Sequence, residues 1–66
     1  MTVFLNGEPA DLAPDATVLD ALAALGVPQA GVAVAVDGSV VRRADWPATP
    51  LPDGARVEVL RAVSGG

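Results

Sequence analysis

No cysteine, no histidine and no lysine occur among the 66 residues, and the aromatic side chains are reduced to one Phe and one Trp. Each gap removes a class of chemistry. Without cysteine no disulfide can staple a small core, and without cysteine or histidine the usual structural zinc sites cannot form. The same two gaps leave no general base tuned near neutral pH and no thiol nucleophile, so a self-contained active site would rest on carboxylates and hydroxyls. The chain therefore reads as a non-enzyme, and no bound cofactor is expected. All four basic side chains are arginine, against eight acidic ones, for a net charge of −4. That balance leaves no basic patch for a phosphate backbone, which argues against nucleic acid and suits a basic protein partner. Lacking lysine, the chain has its N-terminus as sole amine and cannot receive an isopeptide bond on a side chain. No apolar run approaches the roughly 20 residues that span a bilayer, and no basic n-region precedes one, so no membrane is implicated and the cytoplasm is the expected compartment.

What is present is apolar. Residues of hydrophobic type make up 52% of the chain, enough for one domain near the lower size limit at which packing alone suffices. Residues 1 to 5 alternate, with Met1, Val3 and Leu5 on one face and Thr2 and Phe4 on the other, the period of a half-buried strand. Asn6-Gly7 is a type I′ hairpin signal, and a second strand from Glu8 to Leu12 pairs back, with Pro9 marking it as an edge. Thr17 reads as a helix N-cap, with Asp20 three positions on as an approximate capping box. Val18 to Leu25 then presents Val18, Leu22 and Leu25, flanked by Leu19 and Ala21, until Gly26 and Pro28 stop the helix.

Gly31 to Val36 is apolar on both faces and suits an interior strand. Asp37-Gly38 turns the chain into the short strand Ser39-Val40-Val41, followed by Arg42-Arg43, which reads as a solvated face. From Ala44 to Pro52 three prolines predict an irregular crossover, with Trp46 folded over the end of the core. After Asp53-Gly54 the last strand runs from Arg56 to about Ala62, with Val57 and Val59 inward and Arg56, Glu58 and Leu60 outward. The order strand, strand, helix, strand, strand, strand predicts an α+β fold of the β-grasp type, a mixed sheet of four to five strands with one helix across one face and the last strand beside the first. On the bare face Phe4 and Leu60 are both expected to be exposed, and they form an apolar patch if the first and last strands bring them together, or else stand as two scattered surface hydrophobes.

The expected domain covers residues 1–62, and residues 63–66 are read as a loose tail ending in Gly65-Gly66; taken alone the two glycines suit a frayed end, and the rest of the chain makes them a handle. Glycine gives up the most backbone freedom on ordering and brings nothing to pack. Fully extended, four residues reach about 13–14 Å, enough to carry a carboxylate into another protein's cleft. With no Cβ on Gly65 and Gly66, the tail can pass through a slot too narrow for other residues.

Taken together, Val3-Phe4-Leu5-Asn6-Gly7, Thr17-Val18-Leu19-Asp20-Ala21-Leu22, Val34-Ala35-Val36-Asp37-Gly38 with Val40-Val41 and Arg42, then Trp46, Leu51, Asp53-Gly54, Val57-Glu58-Val59 and Ala62-Val63-Ser64-Gly65-Gly66 resemble the bacterial sulfur carrier proteins of thiamine biosynthesis. These are ubiquitin-like β-grasp proteins, and the resemblance covers the whole chain. Ser64 stands where many relatives have Ala or Gly, a small-for-small change. The resemblance implies an E1-like adenylating enzyme that uses ATP and Mg²⁺ to convert the Gly66 carboxylate to an acyl adenylate. It further implies a persulfide sulfur donor of the cysteine desulfurase or rhodanese type, which displaces AMP and leaves a thiocarboxylate, and a thiazole synthase that receives the sulfur. Gly66 would carry the sulfur, Ser64, Gly65 and Gly66 would thread into the partner, and Phe4 and Leu60 would dock. The carrier would be a monomer when free and a co-substrate rather than an enzyme.

Other readings share parts of this pattern. A carrier for molybdopterin or cysteine synthesis, or a ubiquitin-like modifier, would use the same activated C-terminus. A regulatory β-grasp binding module of a different class would share the core and the Asp-Gly turn, but predicts a chain continuing past the last strand and some basic surface.

Overall fold

The computed structural model describes residues 1–61; the expected end of the last strand at Ala62 and the tail Val63–Gly66 lie outside them. Five strands and one α-helix make the domain: β1 (Thr2–Leu5), β2 (Glu8–Asp11), α1 (Val18–Leu25), β3 (Val32–Val36), β4 (Ser39–Val41) and β5 (Arg56–Arg61). The sheet order is β2-β1-β5-β3-β4, with β5 parallel to β1 and antiparallel to β3. This is the β-grasp arrangement, and the last strand occupies its centre.

Local chemistry accounts for the elements. At the first hairpin both turn residues have positive φ, Asn6 at 50° and Gly7 at 86°, as a type I′ turn requires, and asparagine and glycine tolerate that region where most side chains do not. Pro9 sits on the edge strand β2, where its missing N–H disturbs no further neighbour. The ladder does not stop with β2, because the Leu12 N–H donates to the Met1 carbonyl at 2.8 Å.

The helix begins where Thr17 and Asp20 predict. The Asp20 carboxylate accepts from the Thr17 N–H at 2.8 Å and from the Thr17 hydroxyl at 3.2 Å, and the Val18 N–H, an orphan of the first turn, donates to the Thr49 carbonyl at 3.0 Å. At the other end Gly26 takes the left-handed conformation, φ 70°, and its N–H closes on the Leu22 and Ala23 carbonyls, which is the glycine C-cap. Asp20→Ala removes the acceptor that holds the Thr17 backbone. A loss of about 1 kcal/mol is expected from a cap of this kind, and in a domain of this size that lowers the melting temperature by about 4–8 °C, measurable by circular dichroism.

The crossover is more regular than its three prolines predict. Arg43–Ala48 winds as a 3₁₀ helix with Pro47 inside it. The Asp45 N–H donates to the Arg42 carbonyl at 2.8 Å, and the Thr49 hydroxyl caps the segment by donating to the Asp45 carbonyl at 2.7 Å. Proline's fixed φ suits this tighter turn, and a short 3₁₀ piece is not exposed to the clash that proline makes inside a long α-helix. The segment exists to deliver Trp46, which is 2% exposed and donates its indole N–H to the Val41 carbonyl at 2.9 Å.

The core lies between the sheet and α1. Val3, Leu5, Val34, Val57 and Val59 from the sheet meet Val18, Ala21 and Leu22 from the helix, with Trp46, Leu51 and Ala55 closing one end. Among the described residues no charged or polar side chain is buried, so the fold rests on apolar packing, as the missing cysteine and histidine require.

Candidate functional site

The helix covers one face of the sheet and leaves the other bare. Register decides what that face presents. Phe4 stands opposite Arg56, and along β5 the residues Arg56, Glu58 and Leu60 point the same way. Opposite Glu58 and Leu60 lie Ala35 and Ala33 of β3, and Val40 of β4 stands opposite Ala35. Phe4 is 37% exposed, Leu60 66% and Val40 79%.

Phe4 and Leu60 do share the bare face, but they do not touch across the β1–β5 seam. Phe4 sits at the start of β5 and Leu60 near its end, four residues or about 13 Å apart along the strand. Adjacent strands were expected to make adjacent side chains; the parallel register instead sets Phe4 beside Arg56 and leaves Glu58 between it and Leu60. An open groove lined by Phe4, Asn6, Gly7, Arg56, Val57 and Glu58 lies at the Phe4 end. The apolar surface nearest the chain's C-terminal side is Leu60 with Ala33. Ser64, Gly65 and Gly66 lie outside the described residues.

Val40 was missed as a surface hydrophobe, although alternation in a three-residue strand signals it: with Val41 turned toward the core, Val40 must face out. Two turn residues do more than turn the chain. Asn6 and Asp37, both at positive φ, reach back and hold β5 from opposite sides. The Asn6 N–H donates to the Val57 carbonyl at 2.9 Å, while its side-chain amide accepts from the Val59 N–H at 2.8 Å and donates to the Val59 carbonyl at 3.3 Å. The Asp37 N–H donates to the Arg56 carbonyl at 2.8 Å, and its carboxylate accepts from the Arg56 N–H at 2.9 Å. The central strand is thus gripped at its start by one turn and near its end by the other.

The electrostatics of the described residues are simple. The terminal amine pairs with Asp11 at 3.2 Å, and Arg42, Arg43, Arg56 and Arg61 are all exposed. No group of three or more carboxylates converges among the described residues, and no helix among them is long and apolar enough to cross a membrane. What this geometry offers is a sheet with one open face and a central strand that precedes the C-terminal residues in sequence.

Comparison with known proteins places that geometry. The model of the ThiS family matches residues 3–66. A relative from Thermus thermophilus, the sulfur carrier protein ThiS, is 39% identical over 64 residues, covering 97% of this chain and 98% of its own. The crystal structure of a thiamine biosynthesis protein (ThiS) from Geobacter metallireducens superposes with a TM-score of 0.82 at 38% identity, all of both chains being covered. A solution structure of a thiamine biosynthesis protein from the same organism gives a TM-score of 0.76 at 39% identity over all of this chain and 88% of that one. With its β-grasp fold, its central last strand and a match that runs through Gly65-Gly66, the chain belongs to the ThiS family.

Proposed function

We propose that this chain is a sulfur carrier for thiamine biosynthesis, with the carboxylate of Gly66 as the atom group that carries the cargo. The observation that carries the reading is the family match through residue 66, on a chain whose central strand is described as far as Arg61, five positions before that glycine. A carboxylate is a poor electrophile until one oxygen becomes a good leaving group, so an E1-like adenylating enzyme first transfers AMP from ATP, with Mg²⁺, and releases pyrophosphate. A persulfide sulfur then attacks the acyl carbon and expels AMP. Cleavage of the resulting acyl disulfide by a thiol leaves the thiocarboxylate, which a thiazole synthase consumes. This chain has no thiol or imidazole, so every catalytic group belongs to the partners and its own part is to present the terminus. Gly65 and Ser64 supply thin backbone for the partner's channel.

Phe4 and Leu60 are the proposed docking residues, in two separate contacts rather than one patch. Leu60, nearer the C-terminal end of β5, bears more directly on presentation of the terminus. With a matched activating enzyme, ATP-dependent pyrophosphate release reads the docking. Leu60→Asp removes an exposed apolar anchor and adds charge to an acidic chain, so the KM for the carrier rises by about tenfold, in the range of a single interface anchor. An unchanged KM would remove Leu60 from the contact.

A further inference from the structure

We infer that Asn6 is a positioning residue for the C-terminal residues: its side chain replaces the β1 partner that β5 lacks beyond Val57, and so holds the end of the strand from which they continue. This rests on the carrier reading above.

The geometry is specific. Backbone groups of β5 that face β1 belong to its odd-numbered residues and the residue before the strand, as the bonds from the Phe4 N–H to the Ala55 carbonyl and from the Asn6 N–H to the Val57 carbonyl demonstrate. The strand β1 ends at Leu5, opposite Val57. The next β1-facing residue on β5 is Val59, which has no strand residue beside it. Asn6 meets both of its backbone groups with one amide, donor to acceptor and acceptor to donor. A side-chain amide has the same donor and acceptor pair as a peptide unit, so Asn6 works as one further rung of the ladder. Two residues later, at Arg61, the described chain ends. On the other side β3 pairs as far as Val32 with Arg61; the Asn6 rung makes the hold two-sided at Val59, close to the root of the tail.

Asp37 provides the matched control. It has the same backbone conformation and also precedes a glycine, but it grips β5 at Arg56, the end remote from the tail. A purely structural role predicts equal behaviour from the two positions. A positioning role makes Asn6 matter for presentation and Asp37 for stability only.

The test compares the unaltered protein with Asn6→Gly and Asp37→Gly, since glycine keeps the positive φ of each turn and deletes only the side-chain grip. In Asn6→Gly the Val59 amide exchanges about tenfold faster or more, and the ¹⁵N order parameters of Leu60 and Arg61 fall by about 0.1 from the rigid value near 0.85. The KM for the carrier in adenylation rises about five- to tenfold at unchanged kcat, the pattern of lost pre-organisation. Asp37→Gly leaves those order parameters and that KM as they were. Asn6→Asp tests the same point with the turn intact, because its carboxylate can still accept from the Val59 N–H but opposes the Val59 carbonyl; it gives the same rise in KM. Unchanged order parameters at Leu60 and Arg61 in Asn6→Gly overturn the inference, as does an equal KM for both glycine variants. Should the unaltered protein itself not be adenylated, the carrier reading fails separately, and the order parameters alone decide whether Asn6 positions the tail.

Discussion

If Gly66 carries the cargo as proposed, its removal is expected to suppress adenylation strongly and to leave the fold untouched. The shortened chain still ends in a glycine carboxylate, so the group to be activated is chemically the same and only its position changes. One residue of extended chain is about 3.5 Å, and a misplacement of about 1 Å at a reacting centre can cost about a hundredfold in rate. Pyrophosphate release with a matched activating enzyme is therefore expected to fall by more than about a hundredfold. The thermal transition should be unchanged, because among the described residues the buried core cluster lies between Val3 and Val59. Retention of most of the activity by the shortened chain would mean that the partner does not measure the length of the tail.

Trp46→Ala unfolds the domain. The indole is 2% exposed, and its N–H is the partner of the Val41 carbonyl, so the substitution opens a large cavity and removes a hydrogen bond together. Truncating a buried Trp costs about 3–5 kcal/mol, while a single core in a chain of this size supplies about 3–5 kcal/mol in all. Far-UV circular dichroism at 25 °C should show a largely unfolded chain. Trp46→Phe, which keeps most of the ring and loses the donor, should remain folded and melt lower. A cooperative transition for Trp46→Ala close to that of the unaltered protein would contradict the place given to Trp46 in the core.

What could be read in advance was what depends on near neighbours. The Asn6-Gly7 and Asp37-Gly38 turns, the Thr17 to Gly26 helix and the inward Val57 and Val59 all follow from residues within a few positions of one another. The 3₁₀ winding of Arg43–Ala48 was hidden because proline signals a break in a helix and only a tight turn around Trp46 reveals otherwise. The separation of Phe4 from Leu60 and the grip of Asn6 on Val59 depend on the offset between two strands more than 50 positions apart in sequence, and no local pattern encodes that offset. Asn6 serves both scales, since the positive φ that makes the turn also swings its amide toward β5. The outward position of Val40 follows from alternation, but in a strand of three residues that period is short.

The intact mass of the protein isolated from cells that also express its activating enzyme and sulfur donor, beside a copy lacking Gly66, tests the central claim most directly. The account predicts a mass gain equal to one sulfur in place of one oxygen, localised to the C-terminal peptide and missing from the shortened copy. An unshifted mass, with no adenylate formed from ATP by a matched activating enzyme, would contradict it.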